Sequence, residues 1–152
     1  MKRITFFCLT NILAIALISC STSSNTKEEP NAEVQNIASF KLIGISVRTT
    51  NKNSKAMEDL GALWNQFYAE NIIAKIPNKF NRDVYTVYTD YESDYQDAYT
   101  AIIGCKVKTI DSIPAGMVGK TLQGGNYKKF KVKGDTPKAV VNTWQKIWKD
   151  DP

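Results

Sequence analysis

Between Asp83 and Val107 the chain reads D-V-Y-T-V-Y-T-D-Y-E-S-D-Y-Q-D-A-Y-T-A-I-I-G-C-K-V, which crowds Tyr85, Tyr88, Tyr91, Tyr95 and Tyr99 among Asp90, Glu92, Asp94 and Asp97. These residue types could do two kinds of chemistry. Ring faces stack on flat ligands and attract positive charge, while carboxylates hold cations or move protons. The two ends of the stretch alternate β-formers, so it reads as a β-hairpin with acids at its turn. On a strand, Val84, Thr86, Tyr88 and Asp90 share one side and Tyr85, Val87, Thr89 and Tyr91 the other. One aromatic row is then expected in the core and the other against a ligand.

Other chemistries are thin. There is no histidine, which removes His-based triads, His general bases and most zinc sites. Asp90, Glu92 and Asp94 have the one-three-five spacing of a calcium loop, but Tyr95 stands at its glycine position and Ala101 at its bidentate glutamate, so no metal is expected. Gly119-Lys120-Thr121 resembles the tail of a phosphate loop, yet Pro114 takes the place of the first glycine. Cys105 ends an apolar strand with Ala101 and Ile103 and reads as a buried, inert thiol. No nucleophile–base pair stands out, and no cofactor is implied.

The elements that must position these residues begin with an address. Lys2 and Arg3 precede an apolar run from Ile4 to Leu17, then Leu17-Ile18-Ser19-Cys20. The run falls short of the about 20 residues that span a bilayer and has the shape of a secretory signal. Its last four residues resemble a bacterial lipobox. Residues 1–19 are thus expected to be a lipoprotein signal peptide, with Cys20 acylated and each buried CH₂ contributing about 0.8 kcal/mol to anchorage. Residues 20–37, polar almost throughout, read as the acylated cysteine and a flexible tether. That places the domain, residues 38–152, outside the cytoplasm in the cell envelope, on a membrane. Removing Lys2 and Arg3 lowers the formal net charge from +5 to about +3, too little and too scattered for nucleic acid.

Within the domain, Ser39–Thr49 reads as a first strand. Ser54 could cap a helix with Met57, Leu60, Gly61, Trp64, Phe67, Tyr68 and Ile72 on its buried face, ending before Pro77. Gly61 on that face suggests close approach to a strand. After the tyrosine hairpin, Met117–Leu122 reads as a strand, broken at Gly124-Gly125 and resumed over Asn126–Gly134. Its Lys128, Lys129, Lys131 and Lys133 read as a solvated strand side rather than a headgroup or nucleic-acid patch. A second helix starts near Thr136 with Pro137 in its first turn and carries Val140, Val141, Trp144, Ile147 and Trp148 as its stripe. The fold class is α+β: an antiparallel sheet with two helices, in duplicated strand-helix-strand-strand halves of which the second is incomplete.

Several runs together resemble one family. They are L-G-A-L-W-N-Q-F-Y-A-E-N-I (60–72), I-P-N-K (76–79), Y-T-D-Y-E-S-D-Y (88–95), I-I-G-C-K-V (102–107), I-P-A-G-M-V (113–118), Y-K-K-F-K-V-K-G (127–134) and W-Q-K-I-W (144–148). The family is the gyrase-inhibitor-like, or AraC-type, effector-binding domain, near its integron-associated branch. The resemblance implies two pseudo-symmetric halves around a cleft for small lipophilic, often cationic molecules. It also implies two further strands after the second helix, one with a glutamate facing the bound cation, so that this chain reads as C-terminally truncated. Trp64, Tyr68, Tyr88, Glu92 and Trp144 are the expected ligand contacts. The function expected is a lipid-anchored binding domain, not an enzyme; the alternatives are a small-molecule hydrolase of the same fold and a protein-interaction module.

Overall fold

The structure is a computed structural model that describes residues 32–132, 134–135 and 138–150. The signal peptide, Cys20 and most of the tether lie outside the described residues. Among them, no helix is long and apolar enough to cross a membrane.

Strand β2 (Phe40–Thr49), the longest strand, is one of the two central strands of the main sheet and pairs on both sides. On one side it pairs antiparallel with β4 (Tyr99–Val107), from Lys41↔Val107 to Thr49↔Tyr99. On the other it pairs with β5 (Val118–Leu122), from Phe40↔Leu122 to Gly44↔Val118. Strand β3 (Tyr85–Thr89) pairs with β4, so the tyrosine stretch is the expected hairpin and the sheet order is β3-β4-β2-β5.

A two-stranded sheet of β1 (Ala32–Ile37) and β6 (Gly125–Phe130) prolongs this one. Its register continues that of β2 and β5: Ile37↔Gly125 falls where Phe40↔Leu122 extrapolates, across a break at Ala38-Ser39 and Gln123-Gly124. The end of the segment read as tether is therefore a strand. Its side chains bury little, Val34 being 68% exposed, so no apolar alternation announces it; backbone pairing to β6 holds it, with Glu33 opposite Lys129.

Strand alternation gives the main sheet two apolar faces. Toward helix α1 (Lys55–Ala69) point Ile43 and Ile45 of β2 and Ile103, Cys105 and Val107 of β4, packed on Leu63 and Phe67. Each such side chain removed from water contributes about 1.5–3 kcal/mol. The buried face of α1 is Ala56, Leu63 and Phe67, rotated from the expected stripe. Met57 is 72% and Tyr68 70% exposed, and Gly61 faces open space. Apolar residues at helical spacing existed on both sides, and only the sheet decides which side it covers.

Ser54 does not cap α1, because it is left-handed at φ 58° and makes no side-chain cap bond. Instead the Ala56 N–H donates to Thr50 O at 3.0 Å, and the Thr49 hydroxyl donates to the Asp59 carboxylate at 2.6 Å. The expected single helix also breaks at Asn71, left-handed at φ 48°, and a third, short helix, α2 (Ile72–Lys75), turns Ile72 and then Ile76 into the core. Helix α3 (Lys138–Asp150) lays Trp144 and Ile147 against Tyr88, Phe130 and Val132. Its expected start at Thr136-Pro137 lies outside the described residues.

Candidate functional site

Three of the five expected contact residues meet around the hairpin turn. Tyr88 points to the helical side of β3 and meets Trp144 edge to face at 5.6 Å between centroids, and Tyr99 likewise at 5.8 Å. The series continues in both directions: Tyr91 stacks on Tyr99 at 5.1 Å, Trp148 on Trp144 at 5.7 Å, and Tyr95 on Trp148 at 4.7 Å. Six rings thus run from the turn onto α3. Trp144 is only 8% exposed. Tyr99 donates to Asn51 Oδ1 at 3.0 Å, and burial pushes its phenol up to about 12. The tyrosine row expected to be core, or ligand-facing, is mostly engaged with other rings.

Glu92 and its neighbours are engaged too. Arg48 Nη2 donates to Glu92 at 2.9 Å and Nη1 to Asp90 O at 2.5 Å. Lys120 Nζ donates to Asp90 at 2.6 Å, which ties the edge strand β5 to the turn after the opposite edge strand β3. Asp94 accepts the Gln96 N–H at 2.8 Å. Asp97 pairs with Lys52 and Ser93, and the hydrogen bond from Lys52, then that from Ser93, holds its carboxyl below the ordinary range. Three of the turn's four acids are thus paired with cations, and the fourth, Asp94, accepts backbone N–H groups.

Trp64 and Tyr68 stand apart on α1, stacked on each other at 5.6 Å, with Phe67 edge-on to both. Among the described residues, neither has a ring contact to Tyr88 or Trp144. A surface hollow of about 470 Å³ beside α2 is lined by Asn71, Ile73, Ala74, Lys79 and Arg82, away from all five.

Sequence reasoning missed the other face of the sheet. There Phe40, Leu42, Val87, Ile102 and Leu122 form a second buried cluster with Ile37, Tyr85 and Val118 around it. Gly44 pairs directly with Gly104, and a Cβ on either would come 2.1 Å from a carbonyl oxygen of the facing strand, Ile103 O or Ile43 O. Only glycine fits, so the row Val118–Gly44–Gly104–Tyr85 has bare backbone at its centre. The Tyr85 ring leans on Phe40 at 5.9 Å, and burial, then Asp83, raises its hydroxyl pKa. Beside them Lys106 Nζ sits 5.2 Å from the Phe40 centroid and 5.3 Å from that of Phe80, which is itself 58% exposed. The Phe80 N–H donates to Lys106 O at 3.0 Å, fixing that ring at the sheet margin. The available signal was a glycine inside each of two otherwise apolar strands.

Gly44, Gly104 and the five side chains of this cluster are all buried, the side chains at most 7% exposed, so the strip is packed interior. Comparison with known proteins agrees with an effector-binding fold. An integron cassette protein from the mobile metagenome of Vibrio cholerae is 30% identical over 78% of this chain and 76% of its own, with a TM-score of 0.62. A second solved protein, described as bound to tetraphenylphosphonium, is 22% identical over 77% of this chain and 70% of its own, with a TM-score of 0.63. None of the curated proteins matches. The family model for integron-associated effector binding proteins matches residues 33–150, and the chain belongs to that family.

Proposed function

We propose that the protein is a binding domain for small lipophilic aromatic molecules, held at the cell envelope by acylated Cys20. The observation that carries the binding half is the match to the integron-associated effector-binding family over residues 33–150. Tetraphenylphosphonium on a protein of the same fold supports the ligand class and makes lipophilic cations the first to try. Tyr88 and Trp144 act chiefly to seat α3, since each spends a ring face or edge on the other. Catalysis is not part of this reading: the turn carboxylates are committed to Arg48, Lys52, Lys120 and backbone N–H groups.

The test is a thermal-shift panel of neutral, cationic and anionic aromatics. Binding at a hundredfold excess over Kd stabilises by about 2.7 kcal/mol. A panel without a single shift sinks the binding reading. The anchor stands separately: Cys20→Ala should move the protein from the membrane to the soluble fraction, and unchanged partitioning refutes it.

A further inference from the structure

Strand β5 pairs with β2 only as far as Gly44, so from Ile45 to Thr49 the β5 side of β2 has no neighbouring strand among the described residues. Between this half of β2 and helix α1 lies a surface hollow of about 190 Å³, lined by Ser46, Val47, Asp59, Ala62, Leu63 and Gln66. Asp59 is the one charged residue in that lining. The hollow beside α2, with Lys79 and Arg82 in its wall, has the opposite sign.

The Asp59 carboxylate is fixed without being used up. Its Oδ2 accepts from the Thr49 hydroxyl at 2.6 Å, and Thr49 is only 3% exposed, which orients the acid. Its Oδ1 pairs with Lys55 Nζ at 3.0 Å, one turn back on α1. The two partners differ in burial: the Lys55 side chain is 55% exposed and that of Asp59 17%. An exposed pair four residues apart on a helix is a weak ion pair, so Lys55 yields this oxygen to another cation at little cost. A cation whose apolar part covers Val47, Ala62 and Leu63 excludes water from the carboxylate and is screened less than Lys55 is. Gln66 Nε2 donates to Glu70 at 2.9 Å, so its carbonyl oxygen remains an acceptor at the rim. The space holds one ring or one head group, since sites for drug-sized molecules begin near about 300 Å³. Resting on the binding reading above, we infer that this hollow takes the protonated nitrogen head of a lipophilic amine or amidine, with Asp59 as the acid that pairs with it and Lys55 as the cation it displaces.

Benzamidine and benzamide have the same shape and differ in charge at neutral pH. Amide chemical shifts of the full chain, titrated with each, should move at Ser46, Val47, Ala62 and Gln66, with benzamidine at least roughly tenfold tighter, the worth of one hydrogen bond to a charged group. Asp59→Asn keeps an oxygen for Thr49 and removes the charge, so the two probes should then bind alike. Lys55→Met removes the competing cation and should tighten benzamidine about twofold, the strength of an exposed helical pair. The two variants thus move one probe in opposite directions, which a general loosening of α1 would not do, and melting curves check that each is folded. Equal affinity of the two probes for the wild type, benzamidine unmoved by Asp59→Asn, shifts confined to another part of the chain, or no binding of either probe overturns this site. The effector-binding reading then stands or falls on the thermal-shift panel alone.

Discussion

Alanine at Gly104 and at Gly61 should change stability in opposite directions. At Gly104 the new Cβ would lie 2.1 Å from Ile43 O and 2.7 Å from Gly44 Cα, both backbone atoms that cannot swing aside. Ordinary contact begins near 3.4 Å, so β2 and β4 must part by roughly 1.3 Å. That stretches a ladder bond of about 2.9 Å beyond hydrogen-bonding range. The flanking pairs, Ile43↔Cys105 and Ile45↔Ile103, are core residues at most 3% exposed, so the separation also opens the packing on α1. Overpacking costs about 1–3 kcal/mol and one or two weakened ladder bonds about 1 kcal/mol each, together about 2–5 kcal/mol. For a domain of this size that lowers the melting midpoint by roughly 10–20 °C. At Gly61, in the middle of α1 with nothing within 4 Å, alanine should instead stabilise by about 1 kcal/mol through helix propensity. Urea titration followed by far-UV circular dichroism measures both. Gly104→Ala within about 0.5 kcal/mol of wild type, or Gly61→Ala as harmful as Gly104→Ala, would refute the close approach of the strands.

Two further outcomes follow from the aromatic series and the start of α1. Trp144→Ala removes a side chain whose truncation costs about 3–5 kcal/mol in a core; because α3 is seated through Trp144, Ile147 and their ring contacts, amide exchange should accelerate in 138–150 while β2 and β4 stay protected, and uniform acceleration would contradict a separately seated helix. Asp59, whose carboxyl is lowered first by the Thr49 hydroxyl and then by Lys55, favours its charged form in the folded state; that contribution is complete above the ordinary carboxylate value of about 4 and disappears as pH falls through the lowered folded value. Asp59→Asn should therefore flatten the acid limb of the stability profile, and superimposable acid limbs would remove Asp59 from the account.

The fold was legible where local pattern and long-range pairing coincide. Tyr85–Thr89 and Tyr99–Val107 are runs of β-formers on either side of an acidic turn, which is enough to read their hairpin, and the stripe of α3 reads equally well. Strand β1 was not legible because its hold is on the backbone of β6, leaving Val34 in solvent. The break at Asn71 was not legible either, since a single left-handed residue is invisible in a helical period. For α1 the spacing of Met57, Gly61, Trp64 and Tyr68 was as helical as that of Ala56, Leu63 and Phe67. Which of the two stripes is covered depends on a sheet 40 residues further along the chain, at Ile103 and Cys105.

The same logic explains why the candidate contacts were sought on one face while a second buried cluster formed on the other. A density of aromatic residues is conspicuous in sequence, yet rings close enough to be noticed together are close enough to satisfy one another, as Tyr88, Trp144, Trp148 and Tyr95 do. Gly44 and Gly104 are 60 positions apart and unremarkable singly; only the β2–β4 register sets them opposite each other and places Tyr85 and Val118 at the two ends of their row. Lys106 gains its meaning in the same way. Its sequence neighbours place it at the end of a strand, whereas the pairing with Leu42 and the Phe80 margin place its charge over the rings of that face. What a residue touches in this fold is therefore set by cross-strand neighbours more than by any contiguous motif.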